Sequence, residues 1–257
     1  MSDPTNLTSA SKGVPRAEAL YAALTALFCV VLVLTNIVGV KLFVLFADGR
    51  PGWMPGEGAM TLTSGIITYP LTFWCTDLVA EIWGQRRANI MVWLGFAMSI
   101  LMLGIVRAAM ALPPSDFWAN ADLGLTASDM QTAFEVTFQF PALLLLASMT
   151  AYLVAQLIDV RLYHFWWKLT GGQHMWIRNN GSTAISQLVD TCIVNGIFLP
   201  IAFGMSWSEV GAVIGAQYIC KLLLAALDTP LIYLGRAMIR KALGLPNGVA
   251  GESAPLA

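Results

Sequence analysis

Six long apolar stretches, joined by short polar connections, constrain this chain more than any other feature of its sequence. Each approaches or exceeds the roughly 20 residues that an α-helix needs to cross about 30 Å of hydrocarbon. Of the 257 residues 57% are hydrophobic and 11% are charged, whereas about 25% of a soluble domain is charged. This composition excludes a disordered chain, a coiled coil, a nucleic-acid-binding protein and a disulfide scaffold. The predicted spans cover residues 19–46, 62–81, 88–112, 138–159, 181–203 and 210–232.

The distribution of lysine and arginine predicts the orientation of these spans. Outside the spans, only Arg50 lies on one side of the membrane, and the other ten basic residues lie on the opposite side. Because basic residues concentrate on the cytoplasmic side, both termini are predicted to be cytoplasmic. The predicted fold is therefore all-α, a six-transmembrane-helix bundle over residues 19–243, with flexible cytoplasmic tails at 1–18 and 244–257. The ten residues are Lys12, Arg16, Arg86, Arg87, Arg161, Lys168, Arg178, Arg236, Arg240 and Lys241.

Charged side chains inside the predicted spans are the main clue to function. Each costs about 2.5–3.5 kcal/mol at the centre of a bilayer, so a charge without a partner is improbable there. At 1.5 Å per residue, Asp190 in the fifth span and Lys221 in the sixth lie at nearly the same depth, with Gln187 one turn before Asp190. An ion pair is predicted between them. Two explanations stay open, a purely structural lock between two helices and part of a binding site for a polar solute.

The second span combines aromatic and acidic residues on one helical face. A spacing of four residues predicts two aromatic rings above two carboxylates on this face. The residues are Tyr69, Phe73, Asp77 and Glu81. Pro70 is predicted to interrupt this span and free a backbone carbonyl, which favours a cavity, although an ordinary membrane kink explains the proline equally well. The predicted substrate-binding residues are Asn36, Tyr69, Phe73, Trp74, Asp77, Glu81, Gln187, Asp190, Gln217, Lys221 and Asp228. Secondary candidates are Lys41, Arg107, Gln156, Asp159 and Arg178, of which Lys41 and Arg107 are placed near the outer ends of their helices.

Motifs of catalysis and of energy conversion are absent from the sequence. There is no phosphate-binding loop, no nucleophile elbow and no zinc-protease signature. The four cysteines form no C-x-x-C pair, so neither a metal site nor a disulfide is expected. The sequence therefore predicts no cofactor and no catalytic residue, and favours a transporter over an integral membrane enzyme.

Three stretches of the sequence resemble signatures of the bacterial queuosine precursor transporters. They are TDLVAEIWG at 76–84, SMTAYLVAQLID at 148–159, and WIRNNGST at 176–183 followed by SQLVDT at 186–191. Lys221 and Asp228-Thr229-Pro230 are similar to the last helix of that family, and the resemblance extends over about residues 36–233. The family belongs to a vitamin-uptake group related to the substrate-binding subunits of energy-coupling-factor importers.

This resemblance implies uptake of 7-deazaguanine bases, the 7-cyano and 7-aminomethyl precursors of queuosine in tRNA, across the inner membrane. The protein's partners would be this small base and the lipid bilayer, without nucleic acid. One alternative is a substrate-binding subunit that needs an ATPase partner, because Ala19/Ala23 and Ala22/Ala26 form small-residue pairs that permit close helix packing. The sequence leaves open whether the protein is a monomer or a homodimer, and how uptake is energised.

Overall fold

A computed structural model of the chain describes residues 16–46, 52, 60–169 and 175–243. The predicted tails lie almost entirely outside this part of the chain, apart from the first residues of the first helix. In the described part, helices dominate, and two short strands are present. The helices are α1 (Arg16–Val38), α2 (Tyr69–Trp83), α3 (Gln85–Met110), α4 (Ala127–Phe138), α5 (Pro141–Leu169), α6 (Met175–Phe203) and α7 (Trp207–Leu243). The strands are β1 (Leu42–Val44) and β2 (Thr61–Thr63).

Four helical stretches of the described chain are long and apolar enough to cross a membrane. They are Arg16–Val38, Gln85–Met110, Ala127–Ala155 and Ala184–Phe203. Large apolar side chains on these helices face outward, such as Ile105 at 61% exposure, which suits a lipid environment. The chain is thus a helical, multi-pass membrane protein. The helix α2 has 15 residues and is short for a full span, so the count of six spans stays a prediction.

The sequence predicted that the first apolar stretch forms one helix to residue 46, and the structure shows that it does not. The helix α1 ends at Val38, and β1 then pairs antiparallel with β2, with Leu42 opposite Thr63. Lys41 accordingly lies between α1 and β1, and its carbonyl accepts a hydrogen bond from Ser64 N at 2.8 Å. The prediction failed because hydropathy alone does not separate a short apolar strand from the end of an apolar helix.

The start of the second predicted span is also different from the prediction. Residues 61–63 form β2, Ser64–Ile67 form a 3-10 turn, and α2 begins only at Tyr69. Pro70 therefore occupies the first turn of α2, where no backbone N–H is needed and proline is favourable. The predicted mid-helix break at Pro70 is wrong.

Residues 127–138 form the helix α4 rather than the loop that the sequence predicted. Its N-terminus is a capping box, in which Thr126 Oγ1 accepts from Asp129 N at 3.2 Å and Asp129 Oδ2 accepts from Thr126 N at 2.9 Å. Such a pair satisfies two backbone donors at the start of a helix. Asp129 and Glu135, which lie between the third and fourth predicted spans, are thus on α4.

The helices pack around two main apolar cores. One joins α1, α2, α3 and α5 through Phe28, Leu78, Met91 and Leu145. The other joins α5, α6 and α7, with Phe198 and Leu199 fully buried. A smaller cluster buries Met60 and Leu62 of the strand segment against Ala216 of α7. The strand pair is therefore docked onto α7 by its apolar side chains.

The turn between α2 and α3 consists of Gly84 alone, which has a φ of 86°. This left-handed conformation favours glycine and lets the chain reverse within one residue. Just beyond the turn, Arg87 pairs with Glu18 of α1 at 2.8 Å, and its guanidinium lies 5.1 Å from the centre of the Tyr21 ring. The start of α1 is thereby fastened to the start of α3.

Candidate substrate-binding cavity

A cavity of about 440 Å³ lies between the helices of the bundle. Ligand pockets in proteins are typically about 300–1,000 Å³, so the space suits a small organic molecule. The predicted substrate-binding residues come from the first, second, fifth and sixth spans, and residues of the corresponding α1, α2, α6 and α7 do line the cavity. Further lining residues come from α3, α5 and the strand segment.

Four polar or aromatic residues form what we call the open cluster: Tyr69, Gln187, Asp190 and Lys221. Lys221 Nζ of α7 donates to Asp190 Oδ2 of α6 at 2.9 Å, which confirms the predicted ion pair. The same ammonium lies 4.7 Å from the centre of the Tyr69 ring, a distance typical of a cation–π contact. The Tyr69 hydroxyl donates to Gln187 Oε1 at 2.6 Å. All four residues line the cavity.

The open cluster keeps unused hydrogen-bonding atoms beside the cavity. Asp190 Oδ2 holds Lys221, and Oδ1 has no hydrogen-bond partner within the described part of the chain. Gln187 Oε1 is taken by Tyr69, and Nε2 is likewise without a described partner. One turn of α6 therefore offers an anionic acceptor and a neutral donor to a bound molecule.

A second set of residues forms what we call the closed cluster: Asn195 of α6, Gln217 of α7 and Thr63 of β2. Asn195 Nδ2 donates to Gln217 Oε1 at 2.6 Å and to Thr191 O at 2.8 Å. Gln217 Nε2 donates in turn to Thr63 Oγ1 of β2. Gln217 is 5% exposed and Asn195 is 2% exposed. Both ends of the Gln217 amide are consequently occupied by the protein itself.

The two clusters show that α6 and α7 are antiparallel neighbours. Asn195 pairs with Gln217, and Asp190 pairs with Lys221, so the order of the partners along α6 is reversed along α7. The ion pair and the amide pair are thus about one helical turn apart along both helices. The predicted antiparallel contact between the last two spans is confirmed for these residues.

The remaining candidates on α1 and α2 occupy different parts of the cavity wall. Phe73 lies next to Tyr69, with 4.2 Å between ring centres. Asp77 follows on the same face toward the Gly84 turn, and its side chain is exposed and lines the cavity. Asn36 is 2% exposed, and its Nδ2 donates to Leu32 O at 3.0 Å and to Ser99 Oγ at 3.3 Å. Asn36 therefore uses its donor inside the protein although it borders the cavity.

Three predicted residues lie away from the cavity wall. The Trp74 ring is on another side of α2, against Gly235 of α7, where an added Cβ atom would come within 3.0 Å of Trp74 Cζ2. Lys41 is exposed beside β1, and Arg107 is exposed in the last turn of α3. The side chains of Glu81, Gln156, Asp159, Arg178 and Asp228 fall outside the described part of the structure.

The sequence analysis missed Thr63 and Asn195. Asn195 carried a usable signal, because Gln187, Thr191 and Asn195 are spaced by four residues and share one face of α6. Thr63 carried none, since its position depends on a strand that hydropathy assigned to a helix. Both residues line the cavity.

Comparison with known proteins assigns the chain to a family. The family model described as "Putative vitamin uptake transporter" matches residues 63–235. A relative from Bacillus subtilis (strain 168), named "Probable queuosine precursor transporter", is 30% identical over 182 residues, which are 70% of this chain and 74% of the relative. No solved structure matches the chain significantly. The family model covers more than half of the chain and includes α2, α6 and most of α7, which carry the open cluster. The chain therefore belongs to the vitamin uptake transporter family and is a membrane transporter rather than an enzyme.

Proposed function

We propose that this transporter imports the queuosine precursors 7-cyano-7-deazaguanine and 7-aminomethyl-7-deazaguanine for salvage into tRNA queuosine. The observation that carries the proposal is the open cluster, where a carboxylate oxygen and an amide donor, both without a partner among the described residues, lie one turn apart on a cavity wall. The name of the Bacillus subtilis relative supports the same substrate class.

The polar edge of a 7-deazaguanine matches the spare atoms of α6. The ring N–H and the exocyclic amino group are donors, which Asp190 Oδ1 accepts. The neighbouring carbonyl is an acceptor, to which Gln187 Nε2 donates. Every polar group of the base that loses water without a new partner costs about 1–3 kcal/mol. This pairing therefore favours a guanine-like edge over a purely apolar ligand.

The other walls of the cavity supply contacts for the flat ring and for the 7-substituent. Phe73, beside Tyr69, offers an aromatic surface, and aromatic faces stack favourably on flat heterocycles. Asp77 lies two turns of α2 beyond Tyr69. Its carboxylate would gain a charge-assisted hydrogen bond from an aminomethyl cation and none from a nitrile.

Uptake by the purified protein tests this function directly. Liposomes that contain only this protein should accumulate both bases, and Asp190→Asn should abolish accumulation. Asp122→Asn is the matched control, because Asp122 is an exposed carboxylate in a 3-10 turn away from the cavity. Absence of uptake and of binding for both bases would refute the proposal.

The same experiment distinguishes the alternative of an energy-coupling-factor subunit. Such a subunit would bind the base in detergent but would leave the liposomes empty until an ATPase partner is supplied. We propose that the protein acts alone. The mass of the purified protein in detergent separates a monomer from the homodimer that the sequence also allows.

We further propose that the protein resides in the inner membrane with six spans and both termini in the cytoplasm. The ten-to-one distribution of basic residues supports this orientation. A membrane-impermeant thiol reagent should label Ser115→Cys, between α3 and α4, in intact cells. Labelling of Ser253→Cys should require broken cells, and the protein with only its native cysteines provides the background. The opposite pattern would reverse the orientation.

A further inference from the structure

Tyr69 links the start of α2 to α6 through a side-chain hydrogen bond. Its hydroxyl donates to Gln187 Oε1 at 2.6 Å, and both residues are half-buried at the cavity wall. A primary amide presents a donor at one end and an acceptor at the other. A partner that occupies the oxygen end therefore decides which end the amide offers to a ligand.

The Tyr69 ring is itself held in place by two neighbours. The Lys221 ammonium lies 4.7 Å from the ring centre, and the Phe73 ring centre lies 4.2 Å away. Lys221 is anchored in turn by Asp190. These contacts hold the ring, and with it the hydroxyl oxygen, at the cavity wall.

We propose that Tyr69 is a positioning residue that selects bases with a 6-oxo group. By holding Gln187 Oε1, it leaves Nε2 as the atom that Gln187 offers to the ligand. A carbonyl oxygen at position 6 accepts from Nε2, whereas a 6-amino group would bring two donors together. Tyr69 thus acts on specificity through Gln187. This inference rests on the proposed function and adds the chemical feature by which the site reads its substrate.

The hydroxyl alone carries this role, so Tyr69→Phe isolates it. The variant retains an aromatic ring for Lys221 and Phe73 and removes only the donor to Gln187. The amide is then free to turn over and accept from a 6-amino group. The mismatch at position 6 should be relieved, while the mismatch of the ring nitrogen with Asp190 remains.

The experiment measures the affinity of the detergent-purified protein for two bases. They are 7-cyano-7-deazaguanine and its 6-amino counterpart, 2,6-diamino-7-cyano-7-deazapurine. We expect the wild-type protein to prefer the 6-oxo base, and Tyr69→Phe to reduce that ratio of affinities about tenfold. Gln187→Met should reduce the ratio similarly. The double variant should show no further reduction, because both changes remove one interaction.

Tyr218→Phe is the matched control. The Tyr218 hydroxyl also joins α7 to α6, by donating to Ala184 O at 3.1 Å, and Tyr218 is outside the cavity lining. Its removal should leave the ratio unchanged. An unchanged ratio in Tyr69→Phe, or in Gln187→Met if Tyr69→Phe does not fold, would overturn the inference. A wild-type protein that binds neither base would instead refute the proposed function.

Discussion

The open and the closed cluster both join α6 to α7 and each contain a glutamine, yet they use their hydrogen-bonding groups differently. In the closed cluster, the Gln217 amide is engaged at both ends, by Asn195 and by Thr63. In the open cluster, described residues engage one polar atom of Gln187 and one of Asp190. The other polar atom of each side chain has no described partner. The difference suggests that the Gln217 amide joins α6 and α7 to the strand segment, whereas the Gln187 amide contacts the solute.

The largest expected effect is that of Asp190→Asn, which removes the charge on which the open cluster depends. Lys221 would lose its counter-ion. Breaking a fully buried pair typically costs about 3–5 kcal/mol, and this partly buried pair should cost less. We expect a clearly lower unfolding temperature and at least a tenfold loss of affinity for the base. The double variant Asp190→Asn with Lys221→Gln should regain thermal stability without regaining uptake. Additive losses of stability in the double variant would argue that the pair is not energetically coupled.

Two matched substitutions test the contrast between the amides. Gln187→Leu should weaken binding of the base about tenfold, through loss of one hydrogen bond to it, and should hardly alter the unfolding temperature. Gln217→Leu should lower the stability of the protein by about 1–2 kcal/mol and leave the affinity of the folded fraction nearly unchanged. Thermal unfolding and equilibrium binding in the same detergent measure both quantities. An exchange of the two outcomes would mean that the clusters have the opposite roles.

Asp77→Asn tests whether Asp77 contacts the 7-substituent of the base. A carboxylate stabilises an aminomethyl cation through a charge-assisted hydrogen bond, and it gives a nitrile no such contact. We therefore expect the affinity for the 7-aminomethyl base to fall several-fold more than that for the 7-cyano base. Competition between the two bases reports this ratio directly. Equal losses for both bases would place Asp77 at the polar edge of the ring instead.

The smallest expected effect is that of Thr63→Val in the closed cluster. It removes the acceptor of Gln217 Nε2 and leaves the apolar contacts of β2 in place. Hydrogen bonds between membrane segments average about 0.6 kcal/mol, so the loss of stability should stay below about 1 kcal/mol. Affinity for either base should not change. A marked loss of binding would show that the strand segment belongs to the substrate site.

Hydropathy and residue spacing were enough to predict some features of the structure and not others. The pairing of Asp190 with Lys221 was predictable, because equal depth on neighbouring antiparallel helices leaves a buried charge few other partners. The strand at Leu42–Val44 was not, since an apolar strand and an apolar helix end have the same hydropathy. Trp74 follows Phe73 by one residue, so it turns by about 100° around α2, away from the cavity.

The sequence by itself determined that this chain is a helical membrane protein with polar residues gathered at one level of the bundle. Length, apolarity and the cost of charge in lipid suffice for that conclusion. Only the tertiary structure decided which of two glutamines has both its oxygen and its nitrogen engaged by the protein. The hydrogen bonds of an amide depend on the atoms that other helices and strands bring opposite it, here Thr63 and Asn195 for Gln217 and Tyr69 for Gln187. Those partners are distant in sequence, and no local pattern encodes their approach.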